Sequence, residues 1–363
     1  MERRKTELLP MVIALVLFAL LGPGPFFFLS GSQERPIDEV RLEILNGIDR
    51  SYSGRYQNDP RLEALFSKLE KTRDQAQAAT AEKTGLLIGN SSDFVIRFKD
   101  TELFSDFGAS IQPLRLADGQ VNLVTLSSRH FILGIMDVQA SLVHEFIHGA
   151  MREMMGAERY YALPKWIREG IAVWGAGQLR ERCLNLIAGA FIKKQDPQKL
   201  LCEFKLPKNP VDNYLMDAML FEFISQNQGD QAVRNLLAEI MTGNDYTQAF
   251  EQVTGFDWAE LSWRKERFAN MYFEGVVFES GLGLFQQAQR LNQRGDRSGA
   301  IEQLVALTEG PYDRLLQPNA WYWLGRWYFQ GNQFRRAADA FATILEEFPE
   351  YSGLQNDSQR WLE

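Results

Sequence analysis

The 363-residue sequence contains few cysteines and few histidines, and it has no excess of basic residues. Its two cysteines, Cys183 and Cys202, are too few for a disulfide framework or for a zinc site built from cysteine alone. The 39 lysines and arginines are outnumbered by 47 aspartates and glutamates, which gives a formal net charge of −8. Because an acidic chain without a basic stripe binds phosphate backbones poorly, nucleic acid is not an expected partner.

The overall composition is that of a packed protein. Hydrophobic residues make up 45% of the chain and charged residues 24%, which are ordinary values for globular domains. These values exclude a mainly disordered chain and a membrane protein with many spans. The length predicts about two domains.

The N-terminal segment combines a basic start with a long uncharged stretch. It opens with three basic residues, Arg3, Arg4 and Lys5. No charged residue then follows between Leu8 and Gln33. As a helix, the apolar part through Leu29 would reach about 33 Å, enough to cross a bilayer core of roughly 30 Å. We favour an uncleaved single-pass anchor over residues 1–33 and keep a signal peptide as the alternative. Under both interpretations the rest of the chain lies outside the cytoplasm, on the periplasmic side if the source is bacterial.

The two cysteines have two possible roles in such an oxidising compartment. Cys183 and Cys202 could form a disulfide across their 19-residue separation. Alternatively, both are small core residues on neighbouring helices. Spacing alone does not show that two cysteines are close enough to bond.

Three segments follow the N-terminal stretch. Residues 34–84 have helical periodicity and predict a helical stalk, with one face formed by Ile37, Val40, Ile44 and Ile48 and another by Leu62, Leu65, Phe66 and Leu69. Residues 85–280 predict a domain that begins with the short strands LLIGNSS, FVIRFKD and VNLVTLSS and is helical after Met136. Residues 281–363 have a helical period of their own.

The sequence His144-Glu145-Phe146-Ile147-His148 stands out because the chain has only three histidines. Residues four apart lie on one face of a helix, so both imidazoles can reach one zinc ion, and Glu145 lies beside them. By chance, such a pair followed by glutamate is expected on the order of two times in a thousand such chains. The competing interpretation is two histidines that decorate a helix surface.

A catalytic zinc site needs a third protein ligand. Glu169, in LPKWIREGIAVW, is the preferred candidate because twenty intervening residues allow the first helix to end and a second to return antiparallel to it. Gly170 and Ala172 are small enough to let the two helices approach closely. The remaining histidine, His130, precedes the motif helix, and we interpret it as a structural or rim residue. A solvated surface glutamate is the alternative for Glu169.

HEFIH followed by LPKWIREGIAVW resembles the peptidase MA-like gluzincin metallopeptidases. This resemblance covers roughly residues 86–273 and implies a zincin-like α+β domain, a small sheet plus helices, that hydrolyses peptide bonds. It implies that His144, His148 and Glu169 bind Zn²⁺ and that Glu145 is the general base for a zinc-activated water. VNLVTLSS resembles the strand that holds the substrate backbone above the zinc in this family.

The oxyanion of such a reaction needs a donor besides the metal. Tyr214 falls where many members of the family have a tyrosine and is our candidate, with Tyr160 and Tyr161 as alternatives. Taken individually, each of these tyrosines fits a packing role better than a catalytic one. Asp217 stands where the family more often has a small residue, which leaves that part of the pocket in doubt.

The C-terminal segment resembles a short tetratricopeptide-like array. The 34-residue pattern is matched by Trp321, Leu324, Gly325, Tyr328, Ala337, Phe341 and Pro349. A fainter copy precedes it, at Ala288, Leu291, Gly295-Asp296, Ala300-Ile301 and Leu304. An ordinary helical hairpin that closes the enzyme is the alternative.

Together these patterns predict a membrane-anchored zinc metalloendopeptidase outside the cytoplasm, with a protein or peptide substrate and an all-α repeat segment that could bind a protein partner. The second hypothesis is a scaffold in which the peptidase fold is catalytically degenerate and the repeats bind the partner. An aminopeptidase ranks third, because its usual upstream glycine-rich signature is not visible.

Overall fold

The computed structural model describes residues 44–45, 47–87, 94–101, 108–116, 119–132, 136–193, 213–312, 316–348 and 352–362. Helices predominate, and a small sheet lies near the start of the described chain, so the fold class is α+β. The chain divides into two compact units. The first contains described residues 44–182 and 213–269, and the second contains 183–193 and 270–362.

The sheet of the first unit has five strands in the order β1-β2-β3-β5-β4. They are β1 (Ile44–Leu45), β2 (Ile48–Asp49), β3 (Phe94–Lys99), β4 (Ala109–Leu116) and β5 (Gly119–Ser127). β3 is parallel to both β2 and β5, whereas β4 is antiparallel to β5. Pro113 lies in β4, as expected for a strand whose second side is unpaired among the described residues.

Two predictions about the sheet need correction. Ile44 and Ile48 were expected on a helix face, but they lie in β1 and β2, which Gly47 joins with a positive φ of 74°. A four-residue spacing fits a helix, yet a tight turn between two short strands produces the same spacing. VNLVTLSS is a strand as predicted, but it belongs to β5, which is hydrogen-bonded on both sides. Among the described strands, β4 is at the end of the sheet next to β5 and has one backbone edge unpaired.

The predicted helical stalk is also corrected. Helix α1 (Pro60–Thr84) starts at Asp59, whose side chain accepts a hydrogen bond from the Arg61 amide, and it ends at Gly85 with φ 71°. Its apolar face, which includes Leu62, Phe66 and Leu69, belongs to the hydrophobic core of the first unit. A boundary at residue 84 is therefore wrong, because this face needs the sheet and the motif helix to cover it.

The remaining helices of the first unit follow the sheet. They are α2 (Ser128–Ile132), α3 (Val138–Met155), α4 (Ala157–Ala162), α5 (Lys165–Gly175), α6 (Leu179–Lys193), α7 (Asn213–Gln228), α8 (Asp230–Thr242), α9 (Tyr246–Thr254) and α10 (Trp258–Glu279). Of these, α6 and α10 continue past residues 182 and 269, where the division into units falls. α3 packs against α1, β4 and α5, and α5 also packs against α7.

The second unit contains successive helices packed as neighbours. They are α11 (Leu282–Gln293), α12 (Arg297–Glu309), α13 (Gln317–Gln330), α14 (Phe334–Glu347) and α15 (Ser352–Leu362). Each helix packs against the next one in sequence. A Cβ on Gly325 would lie 2.7 Å from the Phe341 ring, so this glycine permits the contact between α13 and α14. These are helical hairpins at the positions where the repeat pattern was recognised.

Several predictions fall outside the described residues. They concern the anchor at 1–33, Cys202, Pro349 and residues 88–92 of LLIGNSS. The first two residues of that predicted strand, Leu86 and Leu87, are described and do not lie in a strand. Cys183 is buried in α6.

Among the helices that are described, none combines the length and the apolar character needed to cross a membrane.

Candidate metal centre

Helix α3 carries the histidine motif through the centre of the first unit. The Asp137 carboxylate caps its start by accepting a 2.7 Å hydrogen bond from the Ala140 amide. Every residue from Ser141 to Met151 is buried, so the helix is a core helix rather than a surface one. The hypothesis that the two histidines decorate an exposed surface is therefore wrong.

Helix α5 brings the glutamate to the histidines. It begins after Pro164 and ends at Gly175. Two residues later, Gly177 has a φ of 66°, which lets the Gln178 amide donate a hydrogen bond back to the Val173 carbonyl. A Cβ on Gly175 would lie 2.5 Å from Cδ1 of Ile147, so this glycine sets the close approach of α5 to α3. The solvated-surface alternative for Glu169 is also wrong, since only 4% of that residue is exposed.

Three ligand atoms converge where α3 and α5 meet. Nε2 of His144 lies 3.1 Å from Nε2 of His148, and Oε2 of Glu169 lies 3.5 Å and 3.4 Å from these two nitrogens, respectively. A tetrahedral zinc ion with ligands at about 2.0–2.1 Å separates its ligand atoms by about 3.3 Å. The donor set therefore has the spacing that a small divalent cation requires, and these three residues could hold a metal ion.

The unpaired polar atoms at this place support the same conclusion. Oε2 of Glu169 and Oε2 of Glu145 are both buried, and neither has a hydrogen-bond partner among the described residues. A buried carboxylate oxygen without a partner is costly unless a cation compensates it. The residues present thus fit a bound cation.

Each imidazole has a partner on its other ring nitrogen. Nδ1 of His144 lies 3.1 Å from Oε1 of Gln178, and Nδ1 of His148 lies 2.9 Å from the hydroxyl of Tyr160. Metal-binding histidines characteristically donate their second N–H to such an acceptor, which leaves the Nε2 lone pair for the ion. No sequence pattern indicated Gln178, and Tyr160 was expected to be an oxyanion donor or a packing residue rather than a partner of His148.

The pKa values of the three ligands reflect burial and their mutual charges. Burial lowers the pKa of His144 to about 4. Burial acts in the same direction on His148, but the carboxylates of Glu169 and Glu145 outweigh it and raise its pKa. Burial would raise the pKa of Glu169, yet His148 and His144 hold it well below the usual range. At neutral pH the site therefore contains a buried carboxylate anion and a neutral His144.

Glu145 follows His144 and is 1% exposed. Burial raises its pKa to about 7, while the smaller effects of His148 and Glu169 lower and raise this pKa, respectively. A carboxyl group with a pKa near the working pH is suited to accept and return a proton. The arrangement therefore combines three residues that could hold a cation with an adjacent carboxyl group suited to proton transfer.

The other predicted site residues have different outcomes. Tyr214 lies in the first turn of α7, but its side chain is outside the described residues. Tyr161 is 60% exposed. Asp217 is partly buried, and burial raises its pKa to about 7. His130 is buried, and its Nδ1 atom lies 2.7 Å from the hydroxyl oxygen of Ser127. This contact agrees with a structural role for His130.

The predicted reason for Gly170 needs correction. A Cβ on Gly170 would lie 2.8 Å from Cε2 of Phe221 and 3.0 Å from the Asp217 carbonyl, both on α7. Gly170 therefore permits α7, rather than the motif helix, to approach α5.

The chain was also compared with known proteins. No family model, no curated protein and no solved structure matches it.

Proposed function

We propose that the protein is a zinc-dependent metallopeptidase of the gluzincin type, with His144, His148 and Glu169 as the metal ligands. The observation that carries the proposal is the triangle of ligand atoms with sides of 3.1, 3.4 and 3.5 Å, buried at the junction of two helices. Two imidazoles and a carboxylate form a donor set typical of catalytic zinc, which leaves a fourth position for water or substrate.

The adjacent residues support hydrolysis in particular. A zinc ion held there would supply a Lewis acid and a water of lowered pKa. Glu145 would accept the proton of the attacking water and return it to the leaving amine, a role suited to its raised pKa. Tyr214 is retained as the proposed oxyanion donor because its position lies in the helix that packs on α5.

The fold supports a zincin-like interpretation of the first unit. The edge strand β4 packs against α3, and Ile111 of β4 is 3.0 Å from the position of a Cβ on Gly149, one residue after His148. A strand whose outer side is unpaired among the described residues could bind an extended peptide through main-chain hydrogen bonds. A peptide substrate is therefore the class that this surface would accept.

Two further parts of the proposal rest on sequence patterns. The basic start and apolar run before residue 34 favour a membrane anchor with the catalytic unit outside the cytoplasm. The helical hairpins of the second unit, at the tetratricopeptide-like pattern, favour a surface for a protein partner.

The decisive experiment measures zinc content and cleavage of an unfolded protein substrate. The wild-type chain should retain about one zinc per molecule after dialysis, and chelation should abolish cleavage until zinc is restored. Glu145→Gln should keep the metal and lose activity by roughly 10²–10⁴-fold. Glu158→Gln, at an exposed position on α4, is the matched control and should cleave like the wild type.

The outcomes separate the two hypotheses. A protein that retains no metal, or one that cleaves equally well with Glu145→Gln, contradicts the metallopeptidase. Metal retention without any cleavage by the wild-type chain favours the scaffold hypothesis, in which the repeats carry the function.

A further inference from the structure

Tyr160 occupies a position that the proposed reaction does not explain. Its hydroxyl lies 2.9 Å from Nδ1 of His148, and the residue is 6% exposed. It is therefore a polar group in the core whose hydroxyl is within hydrogen-bond distance of a proposed metal ligand.

The chain makes a specific turn to place this tyrosine. Helix α3 ends at Gly156, whose φ of 82° and ψ of 151° belong to a region that residues with a side chain rarely adopt. The short helix α4 then begins immediately, and Tyr160 returns over His148, twelve residues after it. The contact depends on this reversal and not on the spacing within the motif helix.

Arg168 supports Tyr160 from the neighbouring helix. Its guanidinium carbon lies 5.0 Å from the centre of the Tyr160 ring and 5.7 Å from that of the Tyr161 ring. Its Nε is buried without a hydrogen-bond partner among the described residues. Because Arg168 precedes Glu169 directly, one turn of α5 carries both a proposed ligand and the group that packs over Tyr160.

We propose that Tyr160 is a positioning residue for the metal site, with Arg168 fixing the tyrosine ring. This inference rests on the proposed function, since it assigns the group that orients one ligand. A histidine that binds a metal through Nε2 keeps its hydrogen on Nδ1, and the Tyr160 oxygen accepts that hydrogen. The tyrosine thus selects the ligating tautomer and fixes the rotation of the His148 ring.

The test compares Tyr160→Phe with Tyr161→Phe in the full chain. Both changes remove one phenol oxygen, but Tyr161 is 60% exposed, so only the first removes the acceptor of His148. Competition with a chelator should show that Tyr160→Phe weakens zinc binding by roughly 10–100-fold. Tyr161→Phe should leave the zinc dissociation constant unchanged.

Two additional readouts separate positioning from a general packing role. The visible absorption spectrum of the Co²⁺-substituted protein should change with Tyr160→Phe, because the orientation of a ligand ring changes, and should not change with Tyr161→Phe. The melting temperature of the metal-free protein should fall with Tyr160→Phe by only the few degrees that one lost buried hydrogen bond costs, and should not change with Tyr161→Phe. A loss confined to that melting temperature, with zinc affinity intact, would overturn the proposal.

Arg168→Gln tests the second half of the proposal. Removal of a positive charge next to a cation site should, by electrostatics alone, strengthen zinc binding. If Arg168 acts by holding the tyrosine ring, zinc binding should instead weaken, and Arg168→Lys should restore only part of it because lysine lacks the planar group. Tighter binding by Arg168→Gln would remove Arg168 from the proposal.

The failure of this inference differs from the failure of the proposed function. If the wild-type chain binds no zinc, the metallopeptidase itself is excluded. If the wild type and Tyr160→Phe bind zinc equally tightly and have the same Co²⁺ spectrum, only the role of Tyr160 is excluded.

Discussion

At the scale of single residues, the glutamate on α5 completes the candidate metal site that the two histidines begin. Oε2 of Glu169 lies within 3.5 Å of both Nε2 atoms, and the pKa of this carboxyl is held well below the usual range. Its charge would balance a bound cation, and its position completes the triangle of ligand atoms. Glu169 should therefore matter more for metal binding than Glu145, the proposed general base.

Glu169→Gln tests this difference. The substitution keeps the size of the side chain but removes the charge, so zinc affinity should fall by more than the roughly 10–100-fold typical of a residue that only supports a ligand. Chelator competition against Glu145→Gln, measured side by side, provides the comparison, because that variant should bind zinc like the wild type. Equal affinities in the two variants would show that Glu169 is not a ligand.

The residues of the centre differ in how far sequence could predict them. His144 and His148 follow from local helix geometry, because a spacing of four fixes their relative position wherever the helix packs. Glu169 required a second helix to return antiparallel, which the intervening length allowed. Gln178 and Tyr160 depend on how α3, α4 and α5 end and pack, and no spacing rule indicates those contacts.

At the scale of elements, the packing of α5 against α7 depends on one missing side chain. A Cβ on Gly170 would meet the Phe221 ring at 2.8 Å and the Asp217 backbone at 3.0 Å. The backbone carbon and oxygen cannot move aside as a flexible side chain could. An alanine should therefore push α5 away from α7 and displace the neighbouring Glu169.

Gly170→Ala should consequently lower the free energy of unfolding by about 1–3 kcal/mol and weaken zinc binding. Gly275→Ala is the control, because it lies in the exposed part of α10 with no atom within 4 Å of the added Cβ. There the substitution should be neutral or stabilising by up to about 1 kcal/mol. Chemical denaturation of both variants measures the difference, and equal stabilities would contradict the close approach.

Helix α1 provides a second prediction at this scale. Phe66 is 3% exposed and its ring lies 5.2 Å from that of Phe98 on β3, so the helix belongs to the core of the first unit. Phe66→Ala should cost about 3–5 kcal/mol of stability. The exposed Lys68→Ala, on the opposite side of the same helix, should change little. A free stalk would predict no difference between the two variants in denaturation experiments.

The errors at this scale have physical causes. Ile44 and Ile48 fit a helical period, but the period carries no information on a glycine turn between them. β4 was missed because ASIQPLRL contains a proline and does not alternate cleanly between polar and apolar residues. An edge strand tolerates both features, since one side of its backbone needs no partner from the sheet.

At the scale of the whole molecule, the order of helices and strands was more predictable than the way in which they group. Helical patterns predicted α3, α5 and the C-terminal hairpins, because the pattern that indicates each of these helices lies within its own residues. The extent of the first unit was not predictable in the same way. Whether a polar-faced helix such as α1 stands alone or covers a sheet depends on long-range contacts that no local pattern contains.

The acid sensitivity of the folded chain can be predicted from His130. Burial, and to a smaller extent the Arg129 guanidinium, lowers its pKa to about 4, while the unfolded chain should have a value near 6.5. As the pH falls below about 6.5, the unfolded state takes up a proton that the folded state does not bind until about pH 4. Stability present at neutral pH is therefore lost over this interval.

His130→Asn should remove this contribution, because the amide can still bond to the Ser127 hydroxyl but does not titrate. Between pH 7 and pH 4, the free energy of unfolding of the metal-free wild type should fall by on the order of 1–3 kcal/mol more than that of the variant. Denaturant midpoints measured across this range would show the difference. Parallel pH profiles for the two proteins would mean that His130 titrates normally in the fold.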